Sequence, residues 1–284
     1  MSTSNREIKA VPTNIITGFL GVGKTSAILH LLKNKPKRER WAVLVNEFGE
    51  VGVDGSLFQG QQAQEQGVFI REVPGGCMCC ASGLPMQIAL NLLLARAKPD
   101  RLLIEPTGLG HPVEVLQVLS AEHYREILSL QKIITLVDAR KLKDERYTKH
   151  ETFNQQIAIA DIVVGNKQDL YLTEDKERLT HYIQQFAGKA APTVFTEQGC
   201  IELELLQGAT LSIVEGKQHH HATMKSVVSL SDTPIPECGY LKARNKGEGY
   251  ESVGWRFSSE LTFNRVKLFS LLSGITAERM KAVF

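Results

Sequence analysis

Gly18-Phe19-Leu20-Gly21-Val22-Gly23-Lys24-Thr25 reads G-x-x-x-x-G-K-T and directly follows the apolar run Val11–Thr17. A strand feeding a glycine-rich turn and then a helix rims a pocket with backbone N–H groups. The positive end of the helix dipole points into that pocket, so phosphate oxygens settle there. The helix formers from Ser26 to Leu32 supply the element that must follow the turn. The glycines, Gly18, Gly21 and Gly23, let the backbone approach phosphates closely. Lys24 is expected to reach the β- and γ-phosphates and Thr25 to hold Mg²⁺ through its hydroxyl, both as catalytic groups. The stretch predicts a nucleotide site.

Outward from this turn, apolar runs alternate with helical patterns. Val11–Thr17, Trp41–Val45, Arg101–Ile104, Ile133–Val137, Ile162–Val164 and Thr193–Phe195 read as strands. Thr25–Leu32, Leu84–Ala97, Pro112–Leu119, Gln155–Ala160 and Glu174–Phe186 read as helices. That succession predicts an α/β fold, a mostly parallel sheet with helices on both faces. Near Val214 the character changes. Residues 215–224 include His219-His220-His221 and lack periodicity, as a linker does. Lys225–Leu230 and Tyr250–Ser258 then read as strands, Phe263–Leu272 as a helix and Lys281–Phe284 as an opening strand. The expected organisation is a nucleotide domain over 1–214, a linker over 215–224 and a small, incomplete α+β C-terminal domain over 225–284. So small a domain is uncomfortable alone, so the native protein is expected to be longer, or this end to pack on something further.

Composition narrows the class. The chain has 284 residues, a net charge of +2 and five cysteines. So small a charge gives no mandate for nucleic acid or membrane surfaces. No run approaches the roughly 20 apolar residues of a membrane span, and Met1–Ala10 is polar. A cytoplasmic protein is expected, in which thiols stay reduced and cysteines read as ligands or core residues.

Two further motifs define the expected nucleotide. Strand Ile162–Val164 runs into Asn166-Lys167-Gln168-Asp169, an N-K-x-D element at the carboxyl end of a late strand, where ligands of α/β sheets gather. A carboxylate at Asp169 would accept two N–H donors from guanine, which adenine does not offer, and unpaired buried polar groups reject the wrong base strongly. Lys167 would lie along the ring and Asn166 would tie the loop to the P-loop. GTP is therefore expected, and a small-molecule kinase using ATP is disfavoured. Between the two motifs, strand Arg101–Ile104 ends in Glu105-Pro106-Thr107-Gly108, E-x-x-G. Glu105 is expected in the Mg²⁺ shell or orienting water, and the Gly108 N–H near the γ-phosphate. No arginine finger or water-positioning glutamine is legible, which predicts slow intrinsic hydrolysis.

Pro74-Gly75-Gly76-Cys77-Met78-Cys79-Cys80 sets three thiols within four residues. Clustered thiolates bind soft or borderline cations, Zn²⁺ or Co²⁺ rather than Mg²⁺. All three converge only on a turn, which Gly75-Gly76 permits. Three thiolates leave tetrahedral Zn²⁺ one ligand short. Glu50 is the first candidate for the fourth and Glu47 the second. Cys200 and Cys238 read as structural. The His219–His221 tract is equally a weak ligand cluster and a solvated linker. The basic and aromatic residues Tyr240–Lys246, Tyr250, Trp255 and Arg256 read as an amphipathic β-surface rather than a nucleic-acid site.

Together, Gly18–Thr25, the Asn46–Asp54 stretch (N-E-F-G-E-V-G-V-D), Cys77–Cys80 (C-x-C-C), Glu105–Gly108 and Asn166–Asp169 resemble the CobW family of P-loop GTPases, related to the urease and hydrogenase nickel-insertion GTPases. The resemblance spans essentially the whole chain. It implies GTP and Mg²⁺ binding by Gly21, Val22, Gly23, Lys24, Thr25 and Ser26, and guanine binding by Asn166, Lys167 and Asp169. It implies a metal site at Cys79, Cys80 and Glu50, slow hydrolysis, and delivery of Zn²⁺, or Co²⁺ in some members, to a client apo-metalloprotein. The alternative is a metal sensor or store with incidental GTPase activity. No nucleic acid or membrane partner is expected; a homo-oligomer is compatible with the pattern. Two departures stand out: Val45 occupies a position where some relatives carry glutamate, and the C-terminal domain stops short of the family's length.

Overall fold

The computed structural model describes residues 7–45, 65–73, 84–186, 191–212, 236, 239–247, 250–258 and 260–275. Eight strands form one sheet: β1 (Val11–Gly18), β2 (Trp41–Val45), β3 (Val68–Glu72), β4 (Arg101–Glu105), β5 (Leu128–Leu130), β6 (Ile134–Val137), β7 (Ile162–Gly165) and β8 (Thr193–Phe195). They run in the order β3-β2-β4-β1-β6-β7-β8, with β5 also on β1. Every pairing in this sheet is parallel. Parallel strands need crossovers that cover both faces, so β2, β6 and β7 are buried along their whole length.

The crossovers are helices α1 (Lys24–Asn34), α2 (Leu84–Ala97), α3 (Pro112–Leu119), α4 (Glu145–Thr148), α5 (Glu151–Ala158) and α6 (Thr173–Phe186). One face packs Ile15, Ala42, Leu44, Leu102 and Ile104 against Met86, Leu90 and Leu93 of α2 and Val115 and Leu116 of α3. The alternate residues Trp41, Val43 and Leu103 point to the opposite side. There α1 packs on β1 and β4 and buries Ile28, Leu31 and Leu32. The expected α/β architecture is the one observed.

β5 and β6 share one edge of β1, with a break. Thr13 pairs with Leu130 and Ile16 with Ile134, so residues 131–133 oppose residues 14–15. The extra residue is a bulge. Asn14, buried in the middle of β1, satisfies it: its amide donates to Lys132 O at 2.9 Å and Leu206 O at 2.8 Å, and its oxygen accepts from Arg101 at 2.6 Å. Below the bulge β6 regains register and carries its carboxyl end alongside the Gly18 turn.

Two strands escape sequence reading. β3 is an edge strand whose apolar run Val68-Phe69-Ile70 gives way at once to Arg71-Glu72, and β5 has only three residues. The β-surface read over Tyr240–Lys246, Tyr250, Trp255 and Arg256 corresponds to β9 (Tyr240–Gly247), which pairs antiparallel with β10 (Tyr250–Phe257). These two and helix α7 (Arg265–Ser273), capped by the Asn264 side chain on Lys267 N, belong to a compact unit spanning Thr223–Phe284, separate from Met1–Ala222. In this second unit Val266 is 77% and Phe269 73% exposed. The readings at Lys225–Leu230 and Lys281–Phe284 and the His219–His221 tract lie outside the described residues. Among the described residues no helix is long and apolar enough to cross a membrane.

Candidate nucleotide and metal site

Gly18 closes β1, and the turn that follows it enters α1 at Lys24. Gly23 precedes the helix with φ +95°, and a Cβ there would lie 2.5 Å from the Asn166 amide, so only glycine fits. The first turn of α1 carries no acidic residue of its own. Lys24, 7% exposed, folds over the turn and donates to Gly18 O at 2.9 Å and Phe19 O at 3.1 Å. Thr25 donates its hydroxyl to Glu105 Oε1 at 3.0 Å. Glu105 ends β4 and is buried; Ser26 is exposed on the first turn.

The E-x-x-G segment lies against the turn. A Cβ on Gly108 would come within 2.8 Å of the Leu20 side chain and 2.9 Å of its backbone nitrogen. Gly108 O accepts from Gln156 of α5 at 3.0 Å. Phe19, fully buried, anchors the same turn edge-on against Tyr147 at 5.0 Å and Phe153 at 5.8 Å.

The N-K-x-D loop reaches the same turn from β7. Asn166, 2% exposed, donates to Val22 O at 2.8 Å and accepts from Gly199 N at 3.1 Å. Lys167, at φ +65°, donates to Gly21 O at 2.7 Å. Asp169 stays exposed on the short helical turn Gln168–Leu170. The structure thus brings Gly18 to Thr25, Glu105, Gly108, Asn166 and Lys167 together at the carboxyl edge of the sheet, with Asp169 at the mouth.

Two features were missed from sequence. The loop Thr196–Cys200 after β8 packs on α1: Gly199, at φ +72°, would place a Cβ 2.6 Å from Ala27 N. Its position after the carboxyl end of a predicted strand was the available signal. The other is Tyr171, whose hydroxyl lies 2.5 Å from Asn166 O and accepts from Ala139 N at 2.9 Å. Burial pushes its phenol up to about 12. Exposed Cys200 is a free thiol in that loop.

Glu47, Glu50, Cys77, Cys79, Cys80 and Cys238 lie outside the described residues. Among the described residues no group of three His, Cys, Asp or Glu side chains is placed to hold a metal. The departure points of both segments are described. Val45, the last residue of β2, accepts at its carbonyl from Val73 N, just past β3, at 2.9 Å. Val45 is also in register with Glu105.

A parallel sheet of this order, carrying these turns at one edge, defines a P-loop GTPase fold. Residues 12–194 match the family model described as CobW/HypB/UreG, nucleotide-binding domain. The chain is 42% identical over 277 residues to the zinc chaperone YeiR of Escherichia coli (strain K12), covering 95% of this chain and 82% of that protein. It is 30% identical over 248 residues to the zinc chaperone CobW of Pseudomonas aeruginosa, covering 76% and 65%. Among solved structures, the Zn(II)-bound YjiA GTPase from E. coli matches with a TM-score of 0.55 at 19% identity, over 94% of this chain and 99% of that one. That last likeness is one of fold. The chain belongs to the CobW/HypB/UreG family.

Proposed function

We propose that this protein is a slow GTPase that carries Zn²⁺, or Co²⁺, and hands it to a client apo-metalloprotein. Relatives named zinc chaperones support the class of cargo. The observation that carries the reading is the Val73–Val45 hydrogen bond. It sets the start of the segment bearing Glu47 and Glu50 beside the start of the segment bearing Cys77, Cys79 and Cys80. Val45 is in register with Glu105, which Thr25 touches, and Val73 lies one strand further out. Cargo ligands and triphosphate ligands would then share one edge of the sheet.

In this reading Gly18, Gly21, Val22, Gly23 and Ser26 surround the phosphates with N–H groups, and Lys24 turns from its two carbonyls to the β- and γ-phosphates. Asn166, Lys167 and Asp169 hold guanine. Thr25 and Glu105 fit Mg²⁺: a hydroxyl and a buried carboxylate 3.0 Å apart form an oxygen donor set suited to a hard ion. When bound, that ion neutralises charge developing on the phosphates. Gly108 reports the γ-phosphate, and Glu50 ligates the cargo in one nucleotide state only. Because coupling is reciprocal, GTP and cargo would each raise the other's affinity, by about 1–3 kcal/mol for one metal–carboxylate contact. Hydrolysis loosens that contact and frees the ion.

The test is a Zn²⁺ titration of the full chain with a non-hydrolysable GTP analogue and with GDP. Tighter binding with the analogue, lost in Glu50→Gln, is expected; equal affinities in both would end the proposal.

A further inference from the structure

We infer that Asp138 and Arg140, at the carboxyl end of β6, are specificity-determining positioning residues for the guanine-reading loop. This rests on the GTP reading above. Asp138 is 2% exposed, and its carboxylate serves two cations at once. The Arg140 guanidinium grips it with two prongs, Nε to Oδ1 at 2.9 Å and a terminal nitrogen to Oδ2 at 2.7 Å. Lys167 Nζ lies 3.5 Å from the same Oδ2. Its other contact is Gly21 O at 2.7 Å, so the ammonium is held between the phosphate turn and Asp138. A lysine fixed at its tip has its aliphatic stem laid down as a platform, which is what a base needs beneath its ring.

The other half of the loop is tied to the same place. Tyr171 joins Ala139 N to Asn166 O through one hydroxyl, so the Asp138–Arg140 turn and the Asn166–Asp169 loop are fixed to each other. Arg140 also feels the Asp169 carboxylate, which adds to the field keeping the guanidinium charged. The exposed base reader therefore has a cation nearby that is itself anchored by a buried carboxylate. Burial pushes the Asp138 carboxyl up, but the Arg140 hydrogen bonds and the charges of Arg140 and Lys167 outweigh it and hold it below the ordinary carboxylate range.

Helix capping alone does not require this charge. Asp138 caps the short helix Ala139–Lys143 by accepting from Arg140 N, and asparagine caps equally well. A buried carboxylate costs several kcal/mol unless it is paired. Asp138→Asn keeps the cap and removes the ionic hold, which separates the two roles. Arg140 is a third exposed, and Arg140→Gln, with Lys167 still 3.5 Å from the carboxylate, provides a second variant whose folding a thermal melt checks before titration.

The experiment measures affinities of full-length wild type, D138N and R140Q for GTP, ITP, ATP and inorganic tripolyphosphate. ITP lacks the exocyclic amine that Asp169 would read. Wild type should prefer GTP over ITP and ATP. In both variants GTP affinity should fall about tenfold and the GTP:ITP ratio should narrow, with tripolyphosphate binding unchanged. An unchanged ratio in both variants of a guanine-selective wild type, or a parallel fall for tripolyphosphate, overturns the proposal alone. A wild type that does not prefer GTP overturns the guanine reading and the proposal together.

Discussion

The Thr25 hydroxyl donates to Glu105 Oε1 at 3.0 Å, joining the first turn of helix α1 to the carboxyl end of strand β4. Eighty positions separate the two residues in sequence, and the parallel pairing of β1 with β4 brings them together. This contact makes Mg²⁺ dependence the first property to measure.

Thr25→Ala removes the hydroxyl and leaves Glu105 without this donor. GTP affinity measured with Mg²⁺ should fall about 10- to 100-fold, while affinity in EDTA should barely change. Thr25→Ser, which keeps the hydroxyl, should behave as wild type. An equal loss in both buffers would mean that Thr25 acts through packing.

Asn166→Ala deletes a buried amide that satisfies Val22 O and Gly199 N together. Leaving those two groups unpaired should cost about 2–3 kcal/mol, read as a lower denaturant midpoint. Asn166→Asp should cost at least as much, because a carboxylate oxygen would face the Val22 carbonyl without a proton. A midpoint within experimental error of wild type for either variant would remove Asn166 as the tie between these loops.

Gly199→Ala places a methyl 2.6 Å from Ala27 N at a φ of +72°. The backbone conformation alone costs about 1 kcal/mol, and relief of the clash must move the loop off α1. GTP affinity should fall with stability, because the same loop holds Asn166 in place. Thermal melts and nucleotide titration of one preparation check both effects.

Alkaline pH should destabilise the fold through two phenols. Burial pushes both Tyr171 and Tyr182 up to about 12 in the folded protein. Unfolded tyrosine ionises near ~10, so the unfolded chain releases its protons first. The stability these groups contribute is complete below about pH 10 and is lost as pH rises toward about 12. Denaturation midpoints at intervals from neutral to pH 11 should therefore drop, with a shallower slope in Tyr182→Phe. Identical slopes in wild type and variant would count against a half-buried, un-ionised Tyr182.

Much of the nucleotide site was legible because its elements are local. Gly18–Thr25 and Asn166–Asp169 each specify a short turn with its own residue signature, and each follows an apolar strand. Helices Leu84–Ala97 and Pro112–Leu119 were read at their observed bounds, because periodicity and a helix-starting proline mark them. Val68–Glu72 was not read, since an edge strand buries only part of its length and shows no clear run. Gly199 and Tyr171 were missed for a different reason. Neither belongs to a motif, and their roles lie in contacts with Ala27, Ala139 and Asn166 across the sheet.

The order of residues along the chain by itself determined the α/β class, the glycine-rich turn, the N-K-x-D loop and the sulfur-rich stretch, because each is written in neighbours a few positions apart. Only the tertiary structure decided that β1 lies between β4 and β6, that Thr25 meets Glu105, and that Asp138 serves Lys167 and Arg140 together. Strand order and side-chain pairing across it depend on which apolar faces bury one another, a competition settled among residues distant in sequence.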